Sequence, residues 1–211
     1  MSDASARPAH SAAPRKRSLL SLYAVMLICA APVVAAALVY FLDWRPAAAT
    51  NYGDLVQPQR PVPPPAELQL TTLEGDPFDL RSLAGRWLLV SVDSGACGDE
   101  CAKKLFIMRQ THASTGKEIH RIERVWLIAD DEPVPTIVIR AYEGMHFLRA
   151  RRDQLERFLA LPPGEDGLDG LARHIWLIDP RNNQMMRFPE NPDPLQLRKD
   201  IGKLLQASRI G

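Results

Sequence analysis

Cysteine is scarce in this 211-residue chain, and its charges nearly cancel. Three cysteines cannot staple a disulfide-rich scaffold. A formal net charge of +1 argues against nucleic acid as the main partner, because phosphate binding draws on a clear basic excess. The same balance gives no bias toward acidic substrates. No Ser/His/Asp constellation, Gly-rich phosphate loop, zinc-type quartet or internal repeat is visible. What remains must come from a few local features.

The first is the run Leu19 to Leu42, which carries no charged side chain. At about 1.5 Å per residue it spans a hydrocarbon core of about 30 Å. Pro32 sits within it, where a membrane helix tolerates a kink. Tyr23, Tyr40 and Trp44 lie near its ends, at interfacial depth. Arg15, Lys16 and Arg17 precede it. The positive-inside rule therefore places residues 1–18 in the cytoplasm and everything after residue 43 in the periplasm of an inner membrane, or the matching mitochondrial compartment. A cleaved signal peptide is the alternative, with Pro46-Ala47-Ala48-Ala49 as its site. Its apolar stretch would be shorter, and an uncleaved anchor fits better.

Residues 1–18 are rich in Ala, Ser, Pro and Arg, a composition that favours disorder. Residues 43–66 hold six prolines and read as a semi-rigid spacer. A globular pattern runs over residues 67–211. Arg86 to Val92, Val125 to Ala129 and His174 to Ile178 read as buried strands. His146 to Leu148 and Met185 to Phe188 are shorter candidates, and Phe78 to Leu80 follows a turn at Glu74-Gly75-Asp76-Pro77. Glu100 to Thr115, Asp153 to Leu161 and Pro194 to Gln206 read as helices, the first stopped by Gly116. Thr136 to Tyr142 is open between helix and strand. Alternating strands and helices imply an α/β domain, and the order β-α-β-α-β-β-α is that of a thioredoxin-like fold.

Cys97 and Cys101 then fall just after the first central strand, at the start of the first main helix. At four residues apart on a helix their Cα atoms lie about 6 Å from each other, inside the disulfide window. A helix N-terminus favours thiolate, and Lys103 and Lys104 add positive field, while Asp99 and Glu100 oppose it. Three readings stay open for the pair: thiol–disulfide exchange, Cu(I) ligation by soft thiolates, or a static bridge. In an oxidising compartment a reduced pair needs active maintenance. Cys29, in the apolar run, is a packing or lipid-facing residue.

In these segments the chain resembles the Sco/SenC family, membrane-anchored thioredoxin-like proteins of cytochrome c oxidase assembly. Leu73-Glu74-Gly75-Asp76-Pro77-Phe78 looks like that family's opening hairpin, and Trp87 to Val92 with Cys97-x-x-x-Cys101 like its strand and CxxxC site. Val125 to Ile128 with Asp130-Asp131-Glu132-Pro133, Phe147-Leu148 with Asp153-Gln154-Leu155, and Ile175 to Pro180 follow in the family's order. The resemblance implies Cu(I) as cargo, held by Cys97 and Cys101. It also implies a cytochrome c oxidase subunit, or another copper or redox protein, as partner. Two departures stand out. Gly98 and Ala102 replace the prolines that usually follow the cysteines. The family's copper histidine would fall at Leu171, and the nearest histidine is His174, which becomes the candidate third ligand. The alternatives to a copper chaperone are a thiol–disulfide oxidoreductase, with Cys97 and Cys101 catalytic, and a non-catalytic assembly scaffold.

The other candidates have ordinary explanations beside them. His112 lies three turns beyond Cys101, His120 falls in a polar loop and His146 sits beside Phe147. Asp130, Asp131 and Glu132 could face the cysteines or simply be solvated. Arg149-Ala150-Arg151-Arg152 reads as an exposed basic loop, and Met185-Met186 as packing residues.

Overall fold

The computed structural model describes residues 19–41 and 51–208. They fall into two compact units divided after Ala49. The expected tail (1–18), Leu42 and the Pro46–Ala49 motif lie outside the described residues.

The first unit contains α1 (Leu19–Phe41), with Pro32 inside it. Its length, about 35 Å at 1.5 Å per residue, and its apolar composition suit a membrane crossing. Among the described residues it is the one helix with that property, which fits a single-pass topology. Cys29 on it is a free thiol.

The second unit is organised by an eight-stranded sheet. Its strands are β1 (Asp54–Pro61), β2 (Leu70–Thr71), β3 (Pro77–Phe78), β4 (Trp87–Asp93), β5 (Ile122–Ile128), β6 (His146–Ala150), β7 (Ile175–Ile178) and β8 (Asn183–Phe188). They lie in the order β1-β8-β7-β4-β5-β6-β2-β3. The three central strands β4, β5 and β6 are parallel, as crossover connections require. The connections run through α2 (Asp99–Ala113) and α3 (Thr136–Ala141). The strands β7, β8 and β1 add antiparallel on one side, and β2 and β3 on the other.

The apolar runs alternate between two cores because successive strand side chains point to opposite faces. Leu88, Val90, Val92, Val125, Leu127, Trp176 and Ile178 face one core. There they meet Leu155 and Phe158 of α4 (Arg152–Phe158) and Leu171 of α5 (Gly167–Arg173). Trp87, Leu89, Trp126, Ile128, Ile175 and Leu177 face the other, against Leu105 and Met108 of α2. Leu197, Ile201 and Leu205 of α6 (Pro194–Ala207) complete that layer, spaced to share one helix face. Each large side chain so buried contributes about 1.5–3 kcal/mol.

Two elements differ from the sequence reading. Part of the expected spacer (43–66) is an edge strand: β1 pairs with β8, Val56 and Val62 are buried, and the amides of Tyr52 and Gly53 donate to Asp200 of α6. Proline is tolerated there because an edge strand leaves half its ladder unpaired, and the pairing shifts register between Leu55 and Arg60, around Pro58. The domain therefore begins near residue 51 rather than 67. The segment Thr136–Ala141, open between helix and strand, is helical, and α5 forms where no helix was expected.

Candidate redox site

The strand β4 ends at Asp93, and α2 starts at Asp99 with Gly98 at its N-cap. The five-residue loop between them carries Cys97 in the left-handed region, at φ 46°. Its amide donates to the Ser94 carbonyl at 3.1 Å, closing a tight turn. That turn presents Cys97 to Cys101, and the two form a disulfide with Cα atoms 5.1 Å apart.

The two sulfurs differ in access. Cys101, in the first turn of α2, is 2% exposed and packs with Leu105 and Met108. Cys97 is only half-buried. Amides in the first turn of a helix favour a thiolate, and Asp99 and Glu100 in that same turn work against it.

A second turn clamps the loop. Gly95 donates its amide to Asp130 Oδ1 at 2.8 Å, and the Glu132 amide reaches the same oxygen at 3.2 Å. A side chain on residue 95 would collide with the Glu132 carbonyl oxygen, so glycine is needed for the close approach. Arg149 fixes the far side of this turn, donating to the carbonyls of Asp130 at 2.6 Å and Glu132 at 3.1 Å. Burial pushes the Asp130 carboxyl up. Hydrogen bonds from Ser94 and the amides of Gly95 and Glu132, with the charge of Arg149, outweigh it and hold the group below its ordinary range. Asp130 thus faces the cysteine loop as a structural anchor, while Asp131 and the Glu132 side chain remain exposed. Arg149, expected in an exposed basic loop, belongs to the clamp; Arg151 is exposed and pairs with Asp153.

Lys104 is the residue that sequence reasoning placed wrongly. Rather than lending a free charge, it is 4% exposed and its ammonium meets Asp93 at 2.8 Å, the Val92 carbonyl at 2.9 Å and the Ala172 carbonyl. Burial pushes its pKa down, opposed by Asp93. The signal was available, since 101, 104, 105 and 108 share one helix face. Lys103 stays exposed, 3.8 Å from Glu100.

His174 caps α5 and opens β7. It is 5% exposed and stands edge-on to Trp176. Its Nδ1 lies 2.8 Å from the Phe188 carbonyl and its Nε2 2.7 Å from Glu165 Oε2. A carbonyl only accepts, so Nδ1 is the donor to Phe188, and Nε2 faces the Glu165 carboxyl. Neither nitrogen is free, and a metal could reach the ring only in place of one of these bonds. The described residues contain no group of three or more His, Cys, Asp or Glu side chains placed to hold a metal ion. The two cysteine sulfurs themselves, once reduced, have the softness Cu(I) prefers.

Two of the other described histidines are held by partners. The Nε2 of His112 sits 3.1 Å from the carbonyls of Ile119 and Ile122. His146 pairs with Glu123 at 3.3 Å, and His120 is exposed. Met186 packs in the core and Met185 beside it.

Residues 87–208, more than half of the chain, match the family model described as "Transmembrane-like, thioredoxin-like, C-terminal domain". The chain belongs to this family. The family domain thus covers the sheet from β4 onward, the cysteine loop and α6. No curated protein matches the chain. Solved structures with the same fold include yeast Sco1, at 14% identity and a TM-score of 0.55, covering 72% of this chain and 98% of that one. Apo Sco1 from Thermus thermophilus matches at 19% identity and a TM-score of 0.53, covering 77% and 99%. Arabidopsis thaliana ScoI with copper bound matches at 13% and 0.52, covering 74% and 99%. The family domain is therefore α/β, thioredoxin-like and Sco-like in fold, as the sequence resemblance implied.

Proposed function

We propose that this chain is a membrane-anchored thiol–disulfide oxidoreductase serving the biogenesis of respiratory copper sites. The observation that carries this reading is the unequal access of the two sulfurs: Cys97 half-buried, Cys101 buried behind it in the first turn of α2. An exchange centre needs one sulfur that a partner can reach and one that only the first can reach. In the reduced state the Cys97 thiolate attacks a partner disulfide. A Cys97–partner bond forms and one partner thiolate leaves. Cys101, deprotonated, then attacks Cys97; the Cys97–Cys101 bond forms and the second partner thiolate leaves. Two electrons pass from the pair to the partner, and a dithiol donor restores the pair. The partner by this reading is a cysteine pair in a cytochrome c oxidase subunit or another copper protein. The Sco likeness supports that setting, and so does the anchor, whose flanking Arg15, Lys16 and Arg17 would hold the N-terminus in the cytoplasm and the domain in the periplasm.

Cysteine substitution tests the assignment. Cys101→Ser leaves the accessible thiol without its resolving partner, so it accumulates a mixed disulfide with an oxidised oxidase-subunit cysteine pair, resolved by non-reducing electrophoresis. Cys97→Ser does not. Equal trapping by both variants, or by neither, overturns the roles.

The second reading is Cu(I) delivery, favoured by two thiols spaced for joint ligation. Its cargo would sit on Cys97 and Cys101, with His174 joining only after release from Glu165. Anaerobic Cu(I) titration of the reduced chain against a chelator, beside the double Cys→Ser variant, decides it. One-to-one binding lost in the control supports delivery, and absence of binding leaves the exchange reading.

A further inference from the structure

The helix α6 keeps its apolar residues on one face and its cations on the other. Leu197, Ile201 and Leu205 are buried in the core. Leu195, Arg198, Lys199, Gly202, Lys203 and Gln206 share the opposite face, as spacings of three and four residues require, and border an open depression of about 430 Å³. Leu195 is 71% exposed. The helix has one acidic residue, Asp200, and it is buried. Its carboxylate accepts from the amides of Tyr52 and Gly53 and pairs with Lys203 at 3.1 Å.

The neighbouring charges do not cancel this face. The N-cap Asp193 accepts from the Leu195 amide. A second groove runs between α6 and the turn at Lys117 and Glu118; Lys117 lies 4.0 Å from Glu118, which binds Arg121 at 2.7 Å. Glu190, upstream of α6, lines the pocket beside Lys104 instead. Every carboxylate around α6 is thus engaged within the fold, and the surplus of positive charge lies on the exposed side, at Arg198 and Lys199. Gly202 is the anomaly at the centre. Glycine weakens the middle of a helix. Nothing lies within 4 Å of where its Cβ would stand, so no neighbour requires the bare Cα. What the glycine does is leave the floor of the depression bare, one turn from Arg198 and Lys199.

The chain meets this helix soon after the anchor. Nine residues, 42–50, separate Phe41 from Asn51, and at full extension they span about 30 Å, whatever the arrangement of the two units. The Tyr52 hydroxyl then accepts from the Asp193 amide at 3.0 Å, and Tyr52 and Gly53 bind Asp200. The cationic face therefore belongs to a domain tethered within reach of a lipid surface.

We infer that the outer face of α6 docks on anionic phospholipid headgroups of the bilayer that α1 crosses. A headgroup phosphate seats over Gly202 between Arg198, Lys199 and Lys203, and Leu195 enters the interface. Cations with an apolar side chain beside them give a peripheral attachment that salt weakens. Neither cysteine belongs to this face, so docking leaves Cys97 accessible, and the inference does not depend on the chemistry of the pair.

The test follows acetylation of lysines by a neutral N-hydroxysuccinimide ester in the full chain held in lipid nanodiscs, read residue by residue by mass spectrometry. Discs of phosphatidylcholine are compared with discs of equal parts phosphatidylcholine and phosphatidylglycerol. In the mixed discs at low salt Lys199 and Lys203 react about fivefold more slowly, while Lys103 on α2 keeps its rate; high salt removes the difference. Arg198→Glu abolishes most of this protection. Gly202→Gln keeps every charge, favours the helix and fills the depression, and it roughly halves the protection. If Lys199 and Lys203 react alike in the two kinds of disc, or if Lys103 slows as much as they do, the docking face is overturned. Equal protection by inorganic phosphate in phosphatidylcholine discs makes the ligand a soluble anion and overturns the bilayer surface. Protection in phosphatidylcholine discs that grows with the number of chains per disc means that a second copy covers the face, and the inference fails. Protection that survives Gly202→Gln intact overturns the phosphate seat.

Discussion

The Cys97 loop and the His174 pocket are built on opposite principles. His174 is buried, stacked edge-on against Trp176, and has both ring nitrogens engaged by Phe188 and Glu165. Cys97 is half-exposed, holds a left-handed backbone and is steadied from outside by a separate turn. A ligand that must bind and release cargo needs an uncommitted donor atom; a sulfur that must exchange needs access and a fixed partner. The histidine has the first property least, and the cysteine has the second most. The difference sets the enclosed His174 ring apart from the accessible Cys97 sulfur, although the sequence resemblance gave both residues to one copper site.

Breaking the closed region has the largest expected effect. His174→Ala leaves the Phe188 carbonyl and the Glu165 carboxyl without their partner and opens a cavity beside Trp176. Losing one member of a buried, hydrogen-bonded pair of this kind costs about 3 kcal/mol, reduced from the fully buried case because Glu165 retains some access to water. Urea unfolding of the variant measures it. A loss below about 1 kcal/mol, within the range of an ordinary exposed pair, would mean that the ring is not committed as drawn.

Breaking the open region costs less stability and more function. Gly95→Ala drives a methyl into the Glu132 carbonyl, so the Asp130–Glu132 turn must move away from the cysteine loop. Overpacking of this kind costs about 1–3 kcal/mol. Displacing the turn also frees the Cys97 backbone, so reduction of the disulfide by dithiothreitol should speed up severalfold in the folded protein. A stable variant with an unchanged reduction rate would show that the turn does not govern the sulfur's accessibility.

The same contrast explains what could be read from the chain beforehand. Trp87 to Val92, Val125 to Ala129 and Ile175 to Ile178 are central strands, buried on both faces, and a continuous apolar run is their signature. From them the thioredoxin-like order and the place of Cys97 and Cys101 followed. The edge strand β1 was not legible, because one buried valine among prolines and polar residues carries no period. The helix α5 was hidden by Gly167 and Gly170, the second of which lies close beneath Glu165 and Leu161, where an added side chain would be crowded. The partner of His174 was hidden for a different reason: Glu165 lies nine positions away through an irregular loop, where no helical or strand spacing applies. Gly95 shows the limit most clearly. Its need for a bare Cα arises from residue 132, and nothing in the local sequence names that neighbour.

The smallest expected effect sharpens the comparison through pH. The Asp130 carboxyl titrates below its ordinary value of 3.8 in the folded chain. Its contribution is therefore complete above that value, and it fades as pH falls through the lower, folded one. Asp130→Asn keeps an oxygen for the Gly95 amide but loses the charge that Arg149 faces. At neutral pH this costs about 1 kcal/mol, the difference between a charge-assisted and a neutral hydrogen bond. In acid the gap closes, because the wild-type carboxyl becomes neutral as well. The urea midpoints of the two proteins should thus differ at pH 6 and converge as acid protonates the wild-type carboxyl and the loop loses its anchor in both. Other carboxyls held low by arginine, such as Asp79 and Asp153, fall equally in both proteins and leave the difference untouched. Midpoints that stay apart by the same amount at every pH would mean that shape rather than charge holds the turn. In that case the clamp on Cys97 would be as closed as the pocket of His174, and the contrast between the two regions would rest on exposure alone.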